Sequence, residues 1–437
     1  MGANELTLIK QHLIDPVICI RCNTCEATCP VGAITHDDRN YVVDADKCNL
    51  CMACISPCPT GSIDNWRNVL KVRAYSTADQ LTWDDLPEEL PDSELVVEAT
   101  EVQNLEINQP VAGKESAQSA AESIAKFSSV EFNAILPPWS AAHAYTNLYG
   151  PKAAQKSIQA TVTGNVRVTE VGKTAGQDYD THHLVLDFGS MPFPLLEGQS
   201  IGILPPGADA QGKPHHARQY SIASPRNGER PGYNNASLTI KRVLEDHSGK
   251  PVRGVASNFL CDAKVGDKVE VIGPFGTSFL MPNHPKSSVV MICTGTGSAP
   301  MRAMTEWRRR LRAKSMSSES KFEGGKLMLF FGARSQEELP YFGPLQNLPH
   351  DFIDINFAYS RSTGQPKKYV QDAMRERSAD LAALLNDEST YFYVCGLKAM
   401  EEGVVLALKE IAEQAGLNWA TMGQQMKTHG RLHLETY

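Results

Sequence analysis

Two hydrophobic patterns follow each other along the C-terminal part of the chain. Between about Ser157 and Pro285, short runs rich in β-branched residues are separated by Gly and Pro, as in ATVTGNVRVTEV, HHLVLDF, ASLTIKRV and DKVEVIGPFG. Short strands with regular turn signals predict a small antiparallel β-barrel over residues 156–285. From Ser288, apolar runs such as VVMIC, KLMLFFGA and TYFYVCG alternate with helical stretches such as APMRAMTEWRRRL and AMEEGVVLALKEIAEQAG. This alternation predicts an α/β doubly wound parallel sheet over residues 286–437.

The first 70 residues carry a different signal, a cysteine pattern that occurs twice. Each copy has the spacing C-x2-C-x2-C-x3-C and is closed by proline, and the ligands are Cys19, Cys22, Cys25 and Cys29, then Cys48, Cys51, Cys54 and Cys58. Thiolates are soft ligands, and a cubane iron–sulfur cluster needs four of them. In the bacterial two-cluster arrangement the fourth cysteine of each run binds the other cluster. The pattern therefore assigns cluster I to Cys19, Cys22, Cys25 and Cys58, and cluster II to Cys48, Cys51, Cys54 and Cys29. A disulfide framework or paired zinc sites are the alternatives, and the doubled run with both prolines favours the clusters.

This N-terminal segment is also an internal repeat. Asp15–His36 and Asp44–Asn65 share the order of an aspartate, a cysteine run and a C-P-x-G-x-I string. We interpret residues 1–70 as an α+β two-[4Fe-4S] ferredoxin module. So short a domain has little apolar core, so we expect the clusters to hold it together and the loss of iron to unfold it.

Residues 71–155 differ in composition from both neighbours. Nine acidic and no basic residues lie between Asp79 and Glu101, residues 111–129 are rich in Ala and Ser, and Leu136-Pro137-Pro138-Trp139 follows. These features are typical of a long linker with short ordered pieces. The acidic run could instead dock a basic partner, and a solvated, self-repelling linker is the favoured interpretation.

Overall composition narrows the functional classes. The 437 residues suffice for about three domains, and the formal net charge of −8 argues against nucleic acid or an anionic membrane surface as partner. No apolar stretch reaches about 18 residues, and the N-terminus lacks the apolar core of a signal peptide. Eight of eleven cysteines fit as cluster ligands, which implies reduced thiols and a cytoplasmic location.

Two strings suggest cofactor chemistry. Thr294-Gly295-Thr296-Gly297-Ser298-Ala299-Pro300 follows an apolar strand and opens a helix, where glycines and free N–H groups suit a pyrophosphate. A structural turn is an equal alternative. In Arg218-Gln219-Tyr220-Ser221, strand alternation puts Arg218 and Tyr220 on one face and Ser221 on the other. Arginine suits a diphosphate and tyrosine a flat ring, although a surface strand with a core tyrosine fits equally well.

From about Val162 to Tyr437 the chain resembles the plant-type ferredoxin–NADP⁺ reductases. The order and spacing of many strings together carry the resemblance: EGQSIGILPPG, RQYSIAS, LTIKRV, GVASNFLCD, GPFG, GTGSAP, AYSR, YVCGLKAME and the terminal Glu435-Thr436-Tyr437. A reductase of this type fused behind a two-cluster ferredoxin module resembles the reductase components of benzoyl-CoA oxygenase (epoxidase) systems. The start KQHLIDPVICIRCNTCEATCP is similar to these as well.

The resemblance implies two cofactor sites. FAD would be held by Arg218, Tyr220, Ser221, Lys241, Gly254, Val255, Ala256 and Ser257. NADPH would be held by Thr294, Gly295, Thr296, Gly297, Gly396, Leu397 and Met400, with Ser360, Arg361, Lys367 and Tyr369 around its 2′-phosphate. A charged fork with hydroxyls suits a phosphate, and no acidic ribose ligand is present there, which favours NADPH over NADH. A solvated basic loop is the alternative for Arg361 and Lys367.

The resemblance also implies the catalytic residues Ser221, Cys395, Glu435 and Tyr437. The first three would shape the site around flavin N5, and Tyr437 would cover the isoalloxazine until nicotinamide displaces it. Without the family, Tyr437 is a frayed terminus and Cys395 a buried strand thiol. There are two departures. Cys293 stands where the family's loop usually begins with glycine, so it could crowd the pyrophosphate or pack inward, and the loop from Arg361 to Lys367 is shorter than usual.

Three hypotheses follow. In the first, NADPH reduces FAD, and single electrons pass through two [4Fe-4S] clusters to a separate di-iron oxygenase component that epoxidises benzoyl-CoA in aerobic aromatic degradation. The flavin is needed because it takes two electrons together and releases them singly. In the second, electrons flow the other way and the flavin forms NADPH. In the third, the chain is a non-catalytic electron-transfer subunit, which the intact RQYS and CGLKAME strings disfavour.

Overall fold

In the computed structural model the described residues are 8–17, 19, 21, 24–51, 54, 58, 62–63, 65–87, 144–171, 178–245, 249–316, 324–362, 364 and 366–437. Cys22, Pro59, the Ala/Ser-rich stretch, the LPPW string and most of the acidic run lie outside them. The domain boundaries given above stay predictions. Within the described part of the chain, no helix is both long and apolar enough to cross a bilayer.

In the described residues of the cysteine-rich segment, the two halves make equivalent backbone contacts. Its elements are β1 (Leu8–Leu13), α1 (Thr24–Thr28), β2 (Ile34–His36), β3 (Tyr41–Val43) and β4 (Asn65–Leu70). The outer strands β1 and β4 pair antiparallel, and so do β2 and β3. Asp15 N donates to Ser62 O at 2.7 Å, and its repeat equivalent Asp44 N donates to Ala33 O at 2.8 Å. The internal repeat of the sequence is thus a repeat of backbone contacts, and we call residues 8–70 the iron–sulfur module.

Residues just after this module pack onto it. A 3₁₀ turn (Lys71–Arg73) leads to α2 (Thr77–Leu81), and Ser76 and Asp79 form a capping box at the start of α2. Gln80 is buried and its side chain exchanges hydrogen bonds with both backbone groups of Val43. The described start of the predicted linker is therefore ordered by contacts with β3.

The strand-rich region forms a six-stranded antiparallel sheet. Its strands are β5 (Ile158–Arg167), β6 (Thr181–Asp187), β7 (Ser200–Leu204), β8 (Arg218–Ser221), β9 (Asn235–Lys241) and β10 (Lys268–Phe275), and α3 (Val255–Asp262) lies over β9 and β6. The strand order is β8-β7-β10-β5-β6-β9. Alternating apolar side chains of these strands fill one core, as the period-2 pattern predicts. An isolated bridge between Ile222 and Leu238 brings the two edge strands together. The predicted antiparallel character is observed, and closure into a barrel stays a prediction.

The last region is a five-stranded parallel sheet with helices on both faces, as predicted. Its strands are β11 (Ser288–Thr294), β12 (Leu327–Ala333), β13 (Ile353–Tyr359), β14 (Thr390–Gly396) and β15 (Leu432–Thr436). Its helices are α4 (Ser298–Met316), α5 (Phe342–Gln346), α6 (Val370–Glu376), α7 (Ser378–Asn386), α8 (Lys398–Gln414) and α9 (Trp419–Thr428). The order β13-β12-β11-β14-β15 reverses direction between β11 and β14. Such a switch point leaves a crevice at the carboxyl ends of the two strands, where ligands of doubly wound sheets bind.

A buried polar network joins the two sheets. Glu229, in the connection from β8 to β9, is 1% exposed and receives two hydrogen bonds of 2.7 Å from Arg302 of α4. Tyr341 Oη lies 2.8 Å from His183 Nδ1 of β6 and 2.7 Å from Thr239 Oγ1 of β9. The network fixes the six-stranded sheet against the helix that follows the Gly-rich turn.

Candidate active site

The Gly-rich turn lies at the switch point. A 3₁₀ turn at Gly295–Gly297 connects β11 to α4, and Gly295 has a φ of +54°. A Cβ at Gly297 would lie 2.2 Å from Cys395 O, and a Cβ at Gly396 would lie 2.5 Å from Thr294 Oγ1. These close approaches require glycine at both positions, because any side chain would separate the ends of β11 and β14.

A cavity of about 690 Å³ opens at this turn. Its lining includes eleven residues predicted as cofactor ligands, namely Lys241, Thr294, Gly295, Thr296, Ser360, Arg361, Lys367, Tyr369, Leu397, Met400 and Tyr437. The structure thus gathers nearly the whole predicted nucleotide set, which lies between residues 294 and 400, into one crevice together with Lys241 and Tyr437. Thr294 Oγ1 is buried there without a hydrogen-bond partner, so it is available to a ligand.

The basic end of the cavity lies beyond the carboxyl ends of β12 and β13. Ser360 and Arg361 follow β13 directly, and Ser360 N donates to Ala333 O at 3.1 Å. Arg334 and Lys368 also line the cavity, and the sequence analysis missed both. Arg334 could have been found, because it follows a parallel strand at the edge where ligands bind. Glu338 also lines the cavity and lies 3.9 Å from Arg334. The other cations and hydroxyls at this end form a pocket suited to a phosphate.

Tyr179 is another residue that the sequence analysis missed. Its ring lies 3.7 Å from Lys241 Nζ and 5.0 Å from the Arg334 guanidinium, measured to the ring centroid. No motif marks Tyr179, which lies just before β6, and only the fold brings it beside Lys241 of β9 and Arg334, the residue after β12. It links the cavity wall of the six-stranded sheet to that of the parallel sheet.

Three titratable side chains lie on neighbouring strands at the switch point. Cys293, Cys395 and Glu435 are in register across β11, β14 and β15. Burial raises the pKa of the Cys395 thiol to about 12 and that of the Glu435 carboxyl to about 7. At neutral pH the thiol is therefore protonated, and Glu435 can hold or release a proton. Cys293 is fully buried and packs inward among apolar side chains, so of the two alternatives for this departure the structure supports inward packing.

Tyr437 is held in place by its backbone. Tyr437 N donates to Gly396 O at 3.0 Å, and Lys398 N donates to Tyr437 O at 3.1 Å. Its hydroxyl lies 2.7 Å from Thr296 Oγ1, while the residue as a whole is 64% exposed. The terminal tyrosine is therefore an anchored part of the cavity rim.

The predicted FAD ligands lie on the six-stranded sheet. Arg218 is exposed on edge strand β8, while Tyr220 is half-buried against the sheet core, and burial raises the pKa of its phenol to about 12. Ser221 pairs in register with Ser200. The segment Gly254–Ser257 forms the start of α3, where a Cβ at Gly254 would lie 2.8 Å from Val243 Cβ. Lys241, which lines the crevice, is the ligand from this set that reaches the nucleotide residues.

Four of the predicted cluster ligands come together. Cys29, Cys48, Cys51 and Cys54 line one small cavity, and none of them forms a disulfide. Burial, with the neighbouring thiols of Cys48, Cys29 and Cys51, raises the pKa of Cys54 to about 11. This is the crossed set predicted for cluster II, with Cys29 contributed by the other run.

The backbone of the cysteine loops is shaped alike in both halves. Arg21 and Leu50 precede the second cysteine of their runs, and each has a φ of +57°. A left-handed conformation costs a non-glycine residue about 1–2 kcal/mol, so its recurrence indicates a loop formed around a ligand. Cys19, Cys25 and Cys58 are also buried together in the module core. Within the described residues, no three His, Cys, Asp or Glu side chains converge on a single ion, whereas thiolates around a cavity suit a cubane.

Comparison with known proteins agrees with both parts of the chain. The family described as 4Fe-4S dicluster domain matches residues 18–62, and that described as oxidoreductase NAD-binding domain matches residues 291–405. A ferredoxin–NADP reductase of Spirulina is 36% identical over 263 residues, which are 58% of this chain and 88% of that protein. The cyanelle enzyme of Cyanophora paradoxa is 37% identical over 60% of this chain and 72% of its own length. The chain belongs to the ferredoxin–NADP reductase family.

Other members of the family show the same relationship. The Synechocystis reductase is 38% identical over 58% of this chain, and the chain spans 62% of its length. The ferredoxin–NADP⁺ reductase of Plasmodium falciparum has the same fold, with a TM-score of 0.50 and 22% identity over 67% of this chain and all of that one. The chain is therefore an oxidoreductase of the ferredoxin–NADP reductase type with a 4Fe-4S domain, and the family implies FAD and NADP.

Proposed function

We propose that the protein is an NADPH-dependent reductase that passes electrons through FAD and two [4Fe-4S] clusters to an oxygenase component. When bound, FAD would accept a hydride from NADPH and give up single electrons. The observation that carries the proposal is the crevice of about 690 Å³ that gathers the predicted nucleotide ligands at the switch point.

The residues present fit both nucleotides. At the nucleotide crevice, glycine at 297 and 396 lets the ends of β11 and β14 approach each other closely, and the orphaned Thr294 hydroxyl points to a polar ligand. Arg361 with Ser360 and Tyr369 offers the cation and hydroxyls that a 2′-phosphate requires. The Plasmodium reductase has been solved with 2′P-AMP, which supports NADPH rather than NADH here.

The residues predicted around FAD would bind its ring and diphosphate and exchange protons with solvent. Tyr220 presents a half-buried ring that can stack on a flat cofactor, and Arg218 is exposed to meet a diphosphate. Glu435, whose pKa of about 7 results from burial, can exchange a proton with solvent as the site turns over. Tyr437, whose hydroxyl contacts Thr296 at the rim of the crevice, would cover the isoalloxazine until nicotinamide displaces it.

The cysteines fit two clusters. Cys29, Cys48, Cys51 and Cys54 would hold cluster II in the cavity that they line, and Cys19, Cys25 and Cys58, with Cys22, would hold cluster I. The two-fold repeat of backbone contacts supports two equivalent sites.

The acceptor is the finer part of the proposal. The fusion of this reductase type to a two-cluster module, and the N-terminal string KQHLIDPVICIRCNTCEATCP, support a di-iron oxygenase component that epoxidises benzoyl-CoA in the cytoplasm. No nucleic acid or membrane partner is proposed.

Anaerobic mixing with NADPH tests the reductase assignment. We expect flavin and cluster absorbance to bleach promptly, followed by oxygen uptake that requires both benzoyl-CoA and the oxygenase once air is admitted. Absence of bleaching would refute the reductase. Bleaching without coupled oxygen uptake would refute the oxygenase partner alone.

A second candidate is electron flow toward NADP. The names of the similar proteins, which describe reduction of NADP by ferredoxin, favour it. Reduced clusters would then form NADPH, and NADPH alone would leave the clusters oxidised.

A further inference from the structure

A buried ion pair attaches the iron–sulfur module to the two-sheet part of the chain, residues 144–437, which we call the reductase. Asp15 is 4% exposed, and its Oδ2 lies 3.2 Å from Arg309 Nη1 of α4. The other carboxylate oxygen of Asp15 accepts a hydrogen bond of 2.9 Å from Val17 N. Glu306, one turn earlier on α4, receives the Arg309 Nε–H at 3.0 Å. Arg309 is therefore shared between its own helix and the module.

Apolar and polar contacts surround this pair. Val17 is 6% exposed and joins the core on the α4 face of the parallel sheet. Arg39 Nε donates to Asn347 Oδ1 at 3.3 Å, and a Cβ at Gly343 would lie 3.1 Å from Arg21 Nη1. Three of the module residues in this seam, at positions 15, 17 and 21, flank Cys19. The end of the module that bears the first cysteine run is thus the end that faces the reductase.

The seam leads toward the active site through packed side chains. Val17 and Cys293 line the same small cavity of about 50 Å³ under α4. Cys293 pairs in register with Cys395, and Cys395 with Glu435. A short, buried route therefore connects the first-run end of the module with the strands that carry the predicted flavin-site residues.

The opposite end of the module is open to solvent. Asp44, the repeat equivalent of Asp15, pairs at 3.0 Å with Lys47, whose side chain is 59% exposed, and within the described residues it forms no ion pair with the reductase. Leu50, the equivalent of Arg21, is 44% exposed, and Val31 is 40% exposed. Of the second set, Cys51 is exposed, Cys29 and Cys48 are half-buried and Cys54 is 7% exposed, whereas Cys19, Cys25 and Cys58 of the first set are all 7–8% exposed.

We infer that the module docks through its first-cluster end, so that electrons enter on the side of Cys19, Cys25 and Cys58 and leave on the side of Cys29, Cys48, Cys51 and Cys54. The inference rests on the proposed function and adds the order of the carriers and the exit face. The acceptor is a protein that takes single electrons, and it approaches the Cys51 end because the other end is covered by the reductase. Each NADPH releases two electrons and one proton on becoming NADP⁺, and two one-electron reductions of the acceptor consume the electrons.

Asp15→Asn tests the docking contact. Asparagine keeps the acceptor for Val17 N but removes the charge that pairs with Arg309. Asp44→Asn is the matched control, because Asp44 makes the equivalent turn through Asp46 N at 3.0 Å without touching the reductase. In anaerobic stopped-flow with NADPH, we expect Asp15→Asn to slow cluster bleaching by about tenfold or more, as loss of a buried pair implies. Flavin bleaching, which precedes it, should keep its wild-type rate, and Asp44→Asn should leave both rates unchanged. Equal cluster rates in the two variants would overturn the inference.

Cluster-selective variants test the order directly, with electron paramagnetic resonance as the readout. In Cys51→Ser, NADPH should still reduce the remaining cluster. In Cys25→Ser, dithionite should reduce the remaining cluster but NADPH should not. Iron content and the dithionite signal show that each variant retains a cluster. The mirror-image result would overturn the inference. If NADPH fails to reduce clusters in the unaltered protein that dithionite does reduce, the proposed function fails, and the inference fails with it.

Discussion

Glu229→Gln removes the central charge of the network that joins the two sheets. The carboxylate of Glu229 is 1% exposed and meets both terminal nitrogens of Arg302 at 2.7 Å. Ser237 Oγ donates to it at 2.7 Å, and His183 Nε2 lies 3.6 Å away. Glutamine has nearly the same shape, but it turns one acceptor into a donor that faces the Arg302 guanidinium. The variant therefore leaves a buried cation without its counter-charge.

The expected cost follows from the burial of the pair. Breaking a buried ion pair by removing one partner costs about 3–5 kcal/mol. Glutamine keeps one oxygen that can still accept a hydrogen bond, so we expect the free energy of unfolding to fall by an amount near the lower limit, about 3 kcal/mol. Burial by itself would raise the pKa of Glu229, but Arg302 and His183 outweigh it and hold that pKa well below 4.5. The stabilisation is therefore present above pH 4.5 and is lost as the pH falls through the lower native pKa. The pH dependence of stability in this acid range should flatten in the variant.

Urea unfolding followed by tryptophan fluorescence measures the effect. With a slope of about 3 kcal/mol per molar urea, the midpoint should fall by about 1 M. Glu402→Gln, an exposed position on α8, is the control and should shift the midpoint very little. The double variant Glu229→Gln/Arg302→Met should recover part of the loss, because an apolar side chain leaves no buried charge unpaired. An unchanged midpoint in Glu229→Gln, or strictly additive effects of the two substitutions, would refute the reasoning.

Three further predictions concern the active site. Gly297→Ala should weaken NADPH binding, measured by difference spectra, because its Cβ would lie 2.2 Å from Cys395 O; wild-type affinity would show that the turn adapts. Arg361→Ser should lower kcat/KM for NADPH by about tenfold or more, the worth of one charged hydrogen bond, while that for NADH stays constant; equal losses with both would contradict a 2′-phosphate contact. Burial raises the pKa of Glu435 to about 7, so in the unaltered protein this carboxyl should lower the stability as the pH rises from about 4.5 to 7, where only the unfolded chain has lost the proton. Glu435→Gln should remove this decrease, and an unchanged pH profile of the urea midpoint would refute the prediction.

Local patterns determined a large part of this protein. The spacing of the cysteines indicated the crossed set Cys29, Cys48, Cys51 and Cys54, which the structure places around one cavity. Short strands with a two-residue period predicted the antiparallel sheet, and apolar strands that alternate with helical stretches predicted the parallel sheet after it. Both kinds of pattern are recognisable because backbone geometry sets their periods within a few residues. Gly297 was recognisable from its local context, because the Gly-rich string follows an apolar strand and opens a helix.

Only the tertiary structure decided which distant side chains meet. The pairs Glu229–Arg302 and Asp15–Arg309 join residues 73 and 294 positions apart, and no local pattern sets such contacts. The same long-range packing places Tyr179 in the wall of the crevice and turns Cys293 toward the small cavity that Val17 of the iron–sulfur module also lines. Secondary structure depends on neighbours in sequence, whereas the orientation of the module and the composition of the crevice depend on how whole sheets and helices bury their faces against one another.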